Sequence, residues 1–267
     1  MTAGARRTSI AWLGLALGVS PTAAQTILPT TADDLTFRIQ VEKPFLAAEE
    51  GIAPMSSIVD TDVIFRWSSN VFFQLGVPFA VAQQDFVVTG TSVYLGNIRG
   101  NFLFGEPGIL RGFLGLTLPT ATNIGGPDLA LLIMALPRLD EEEAWAEDVM
   151  SARGAWVPSW PISGSARAGV RLGGAIALPT DFDDWWIYAR PAGWIRAVVG
   201  SAEIRADVLG SYLSNGRGTF AELSTAYLDL GASLPDLFGR PGVFVRLPLD
   251  TDARDAIDFS VGVYAHF

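Results

Sequence analysis

IDFSVGVYAHF, residues 257–267, alternates between apolar and polar or small side chains without interruption and ends on an aromatic residue. Alternation with a period of two predicts a β-strand whose two faces differ in chemistry. One face would carry Ile257, Phe259, Val261, Val263, Ala265 and Phe267. The other would carry Asp258, Ser260, Gly262, Tyr264 and His266.

The same period of two recurs along the whole chain, with turn residues between the alternating segments. Eleven further strands are predicted at 35–42, 63–67, 71–81, 94–104, 110–118, 150–160, 166–178, 185–199, 202–213, 220–232 and 243–249. The connections alternate between tight turns, such as Gly200-Ser201, and long segments, such as 119–148. We therefore expect an all-β, antiparallel up-and-down barrel of about 12 strands that crosses a membrane, with 10 or 14 strands also possible.

Composition agrees with a membrane barrel. The chain has 267 residues, is 49% hydrophobic and has a mean hydropathy of +0.33, yet beyond residue 24 no apolar run reaches helix-spanning length. The apolar residues must then be spread over short strands. The absence of cysteine excludes a thiolate metal site and a lipid anchor on cysteine. A net charge of −10 disfavours a nucleic-acid partner. We predict no metal and no cofactor.

The first 24 residues have the pattern of a cleaved export signal. Arg6 and Arg7 precede the apolar stretch 10–19, and small residues lead to a cleavage site after Ala24. A retained membrane anchor is the alternative, but a helix needs about 20 apolar residues to span a bilayer. Residues 25–267 are then predicted to form one barrel domain.

A strand with an apolar outer face and a C-terminal Phe resembles the closing strand of Gram-negative outer-membrane β-barrels. The resemblance implies an outer-membrane location, contact with membrane lipid and lipopolysaccharide, and recognition by the barrel-assembly machinery. The assembly signal would then comprise Phe259, Val261, Val263 and Phe267. Two strands also end in Leu-Pro-Thr, at 118–120 and 178–180. These ends are similar to the Pro-Thr-Gly strand ends of the barrel family named after the phenol meta-cleavage pathway, whose members are regarded as outer-membrane transporters.

The face opposite the apolar one is rich in arginine and would line the lumen of the barrel. The predicted lining residues are Arg38, Arg66, Arg99, Arg111, Arg171, Arg196, Arg205, Arg246, Glu203, Asp207 and Asp258. Two interpretations remain open. The charges could orient and select solutes in a water-filled pore, or they could form an internal ion-pair network that closes a narrow barrel. Acidic clusters fall in the predicted external connections, at 140–143, 181–184 and 250–255. They could form a cation-attracting vestibule or a solvated loop surface.

We therefore predict an outer-membrane pore or transporter for small solutes. The alternative is a closed barrel that acts structurally or through its acidic external loops. An enzyme is not expected, because barrel hydrolases generally use a histidine base near the external rim and His266, the only histidine, ends the last strand at the opposite rim. The sequence leaves the solute and the oligomeric state open.

Overall fold

The chain folds into one closed, antiparallel β-barrel. The computed structural model describes residues 35–46, 57–84, 90–106, 108–125, 146–179, 185–213, 224–251, 254 and 257–267. The predicted export signal, the segment 126–145 and the acidic clusters at 140–143 and 181–184 lie outside these residues. In the described part of the chain, no helix is long and apolar enough to cross a membrane.

Within the described ranges, sixteen strand segments make up the wall of the barrel. They are β1 (Leu35–Leu46), β2 (Ser57–Ser68), β3 (Val71–Gln84), β4 (Gly90–Leu95), β5 (Arg99–Glu106), β6 (Ile109–Thr117), β7 (Thr122–Gly125), β8 (Val149–Trp156), β9 (Ser159–Pro161), β10 (Ala166–Pro179), β11 (Trp186–Ala189), β12 (Ala192–Val199), β13 (Ala202–Leu213), β14 (Ser224–Ser233), β15 (Gly242–Pro248) and β16 (Ile257–His266). Four pairs, β4/β5, β6/β7, β8/β9 and β11/β12, are each one barrel strand with a short interruption, so the barrel has 12 strands. The predicted fold class and strand number are confirmed.

Every barrel strand pairs antiparallel with its neighbours in the chain, and the first strand pairs with the last. At this seam, the N–H of Phe37 donates to the carbonyl of Phe267 at 2.9 Å, and the N–H of Phe267 donates back at 2.8 Å. Because a closed barrel has no free edge, every strand satisfies its backbone polar groups on both sides. The C-terminal aromatic residue is therefore part of the closure itself.

The two faces of the wall have the reverse of a soluble protein's polarity. Apolar side chains point outward and stay exposed, with Phe37 49%, Leu172 55% and Val263 52% exposed. Arginines, carboxylates and hydroxyl groups alternate with them on the inner face, where most are buried. An apolar exterior around a polar interior is the arrangement of a barrel whose solvent is lipid.

Tight turns join the strands at one end of the barrel, which we call the short-turn end. Gly108 and Gly200 occupy such turns with φ of 76° and 65°, a left-handed conformation that glycine adopts without steric cost. The longer turn 234–241 between β14 and β15 lies at the same end and holds Gly239 at φ 75°. The N-terminus of β1 and the C-terminus of β16 also lie at this end, since both flank the seam that Phe267 closes.

Candidate functional site

Buried ion pairs cross the interior between β1, β2 and β5. Arg38 donates to Asp62 at 3.0 Å, and Arg99 donates to Asp60 at 2.9 Å while lying 3.7 Å from Asp62. The side chains of all four are at most 2% exposed. Gly76 of β3 lies between them, and a Cβ there would overlap the carboxylate of Asp62. The missing side chain thus leaves the room in which these charges meet.

A second buried pair connects β14 and β15. Arg246 donates from Nε to Asp229 Oδ1 and from Nη2 to Asp229 Oδ2, both at 2.9 Å, in a bidentate arrangement. Bidentate geometry fixes both side chains and gives two charge-assisted hydrogen bonds. The guanidinium also lies over the ring of Tyr227, 5.7 Å from its centroid. Nearby, the hydroxyl of Ser260 donates to Glu42 at 2.5 Å.

The remaining wall, from β8 to β13, carries a surplus of arginine. Among the described residues, its inner face holds two carboxylates, the half-buried Glu203 and the buried Asp207. Arg205 lies 3.8 Å from Asp207, and the guanidinium of Arg153 donates twice to the amide oxygen of Asn101 at 3.2 and 3.1 Å. Six arginines share this wall: Arg153, Arg167, Arg171, Arg190, Arg196 and Arg205.

The positive wall contrasts with the rest of the interior. From β14 through the seam to β5, three arginines (Arg38, Arg99 and Arg246) lie with four carboxylates (Glu42, Asp60, Asp62 and Asp229). Among the described residues, opposite charges therefore lie together on one side of the interior, and guanidinium groups are in excess on the other side. The whole chain has a net charge of −10, so its charges are segregated by position.

The structure assembles eight of the eleven predicted lining residues in the interior: Arg38, Arg99, Arg171, Arg196, Glu203, Arg205, Asp207 and Arg246. The alternation also places Glu42 and Asp229 on this face, and both are buried in the interior. Sequence reasoning missed five further charged side chains of the same interior: Asp60, Asp62, Arg153, Arg167 and Arg190. The two aspartates were missed because the second strand was expected to begin at residue 63, whereas β2 begins at Ser57. Extending the alternation of that strand backwards would have found both.

Two predicted lining residues point away from the interior, and β-bulges are the reason. The side chain of Arg111 is 47% exposed and pairs with Glu106 across the tight turn at 3.3 Å. The β5–β6 ladder shifts register after Phe104. Leu110 therefore faces inward and Arg111 faces outward. Asp258 is the extra residue of a second bulge, because Ile257 and Phe259 pair with consecutive residues of β1. One inserted residue moves a side chain to the other face.

Arg66 lies at the rim rather than among the buried charges. It is half-buried at the end of β2 and donates to the carbonyls of Ser68 and Ser69 at 3.3 and 3.2 Å. Its guanidinium also lies 5.8 Å from the ring centroid of Phe72. These contacts hold the tight turn between β2 and β3.

The predicted assembly-signal residues lie on the outer face of the last strand. Val261, Val263 and Phe267 are exposed, and Phe259 stacks on Phe45 of β1 with ring centroids 4.5 Å apart. Phe267 also contacts the ring of Phe238 in the 234–241 turn, at 6.0 Å. Whether assembly machinery reads these residues stays a prediction.

An apolar outer face, a closed antiparallel ladder and a charged interior define the class: the up-and-down barrel fold of outer membranes. LpxR from Salmonella typhimurium is similar in structure, with a TM-score of 0.51 at 9% identity, over 87% of this chain and 99% of that one. An outer-membrane channel from Pseudomonas putida F1 gives 0.49 at 10% identity over 89% and 97% of the two chains, and the NanC porin gives 0.47 at 8% over 86% and 98%. No protein-family model and no curated protein sequence matches the chain.

The expectation that the chain is not an enzyme is contradicted, because enzymes also adopt this fold. Outer-membrane barrels with this fold, LpxR among them, include enzymes, so the shared fold is compatible with enzyme activity. His266 is buried at the end of β16 beside the ring of Tyr264, and this position does not exclude enzyme activity. A fold alone neither supplies nor forbids a reaction.

Proposed function

We propose that the protein is an outer-membrane pore that passes small solutes and favours anions along its arginine-rich wall. The observation that carries the proposal is the charge of the inner face of β8 to β13, where the residues that the structure describes include six arginines and two carboxylates. Fixed charges of one sign along a path raise the local concentration of ions of the other sign. Interior charges on the remaining strands pair with one another and would contribute little net field.

Exposed tryptophans support the placement in a bilayer. Trp67 and Trp160 are 70% and 48% exposed towards the short-turn end, and Trp185 is 53% exposed just before β11 at the opposite end. Aromatic side chains concentrate at both interfaces of membrane barrels, because their rings combine an apolar body with a polar atom. The short-turn end would face the periplasm, with outer-leaflet lipopolysaccharide around the other end.

A closed barrel that acts structurally or through its external loops is the second candidate. Three buried ion pairs favour it, because their side chains are at most 2% exposed to solvent. They are Arg38–Asp62, Arg99–Asp60 and Arg246–Asp229. These buried side chains fill the part of the barrel interior that lies next to their strands. The two candidates thus differ in whether a water path runs along the arginine-rich wall past this filled region.

Single-channel recording in planar bilayers separates the two candidates. Discrete open-channel steps with an anion-selective reversal potential in a salt gradient support the pore. In that case Arg171→Gln shifts the reversal potential towards cations, because it removes a positive charge from the wall. The matched control is Arg111→Gln, which removes an outward-facing arginine and should leave selectivity unchanged. A correctly folded barrel without conductance would contradict the pore and support the closed barrel.

A further inference from the structure

A cavity of about 110 Å³ lies inside the barrel near the short-turn end. Turn residues Gly108 and Ser165 are at its rim. Its charged lining consists of three guanidinium groups and one carboxylate, from Arg167, Arg171, Arg196 and Glu203. A concave site with convergent charged groups is a candidate for binding a ligand, and the excess of two positive charges selects an anion.

The strand register places like charges directly beside one another at this cavity. Arg167 of β10 is paired with Arg196 of β12, which is paired in turn with Arg205 of β13. Like charges directly opposite in a ladder destabilise a sheet, so this row does not contribute to fold stability by itself. Few carboxylates are near these arginines: Asp207 is 3.8 Å from Arg205, and Glu203 is the only carboxylate among the described residues that line the cavity. A bound anion would offset the repulsion.

Arg167 has donor capacity that the protein does not use. Its Nη2 donates to the hydroxyl of Ser159 at 3.3 Å, whereas its Nε is buried and has no hydrogen-bond acceptor. A buried, unsatisfied N–H costs free energy that a ligand oxygen can recover. Guanidinium groups present their donors in a planar fork that matches the two oxygens of a carboxylate.

The rest of the lining is apolar and aromatic. Leu110 and Val157 contribute aliphatic surface, and the ring of Trp194 lies beneath Arg196 at 5.0 Å from the guanidinium carbon to the ring centroid. Trp194 in turn lies across Gly169, where a Cβ would overlap the indole ring. This contact holds the indole against the wall. A fully hydrated inorganic anion would make little use of such surface, whereas an anion with an apolar body would bury it.

We propose that this cavity binds a small carboxylate with an apolar body, held by Arg167, Arg171 and Arg196 at its charged end and by Trp194 at its apolar end. The assignment deepens the proposed pore function by naming the class of anion, and it rests on that function for its biological use. Binding itself does not require conductance. The two proposals can therefore fail separately.

The test measures binding of 4-fluorobenzoate to the folded barrel in detergent micelles by ¹⁹F NMR titration. The neutral analogue 4-fluorobenzamide, which has almost the same shape, should bind at least about tenfold more weakly because it lacks the charge. Arg171→Gln and Arg196→Gln should each weaken 4-fluorobenzoate binding by about ten- to hundredfold, the effect expected for loss of a charge-assisted hydrogen bond. Arg111→Gln is the matched control and should bind as the unmodified chain does.

Glu203→Gln tests the sign of the effect. Removing the one carboxylate of the cavity should tighten 4-fluorobenzoate binding severalfold, a gain that general damage to the barrel cannot produce. Heat-modified mobility on gels verifies that each variant is folded. Equal binding of the benzamide, or unchanged affinity in both arginine variants, would overturn the site. A conducting barrel that binds no 4-fluorobenzoate refutes only this site. A silent barrel that binds it refutes only the pore.

Discussion

Replacing Asp229 by Asn should destabilise the barrel by about 3–5 kcal/mol, the usual cost of removing one partner of a buried ion pair. Arg246 would keep its charge in a place where its side chain is 2% exposed, while asparagine would offer it one neutral acceptor oxygen in place of the two carboxylate oxygens that now accept at 2.9 Å. Each charge-assisted hydrogen bond contributes roughly 1.5–3 kcal/mol. The coupling free energy between the two residues should therefore reach about 3 kcal/mol.

A double-mutant cycle measures this coupling directly. The variants are Asp229→Asn, Arg246→Met and the double variant, which should regain most of the stability lost in the first because no unpaired charge remains. Reversible urea unfolding in lipid vesicles, followed by tryptophan fluorescence, gives the free energies of unfolding. The control cycle uses Glu106→Gln and Arg111→Met, because that pair is 3.3 Å apart with side chains 58% and 47% exposed.

The exposed control pair should couple by about 0–1 kcal/mol, since water screens the charges. An interior coupling as small as the control would refute the reasoning. It would mean that water reaches Asp229 and Arg246 and that the interior at this level is not filled by protein. A large coupling would restrict any water path to the arginine-rich wall.

Three further predictions concern the packing, the closure and the outer face. Gly262→Ala should cost about 1–3 kcal/mol by overpacking, because its Cβ would overlap the ring of Phe244, whereas Gly193→Ala, with no atom within 4 Å, should cost little in the same urea assay. Phe267→Ala should lower the yield of heat-modifiable barrel severalfold in cells, and a normal yield would argue against an assembly signal at the C-terminus. Leu172→Lys, in the middle of β10, should cost about 2–4 kcal/mol in bilayers, while Leu35→Lys at the end of β1 should cost only about 0–1; equal costs would contradict a lipid-facing band.

Two of the errors in predicting the interior were errors of one residue. Arg111 and Asp258 were predicted on the inner face because the alternation around them looked unbroken, yet each of them lies at a β-bulge. A bulge leaves no mark in the period-two pattern when residues on both sides suit either face. Its consequence is local, since the alternation resumes beyond it, as at Gly115 and Thr117 or at Ser260 and Gly262.

The sequence by itself determined the fold class and favoured the observed number of strands. Those properties depend on the period of two and on turn chemistry, which are short-range and repeated in every strand. Only the tertiary structure decided which arginines meet which carboxylates. Arg99 pairs with Asp60, which lies 39 residues away, because the shear of the barrel brings those two strands into that register. The accumulation of arginine beside the cavity arises in the same way, from registers that no local pattern encodes.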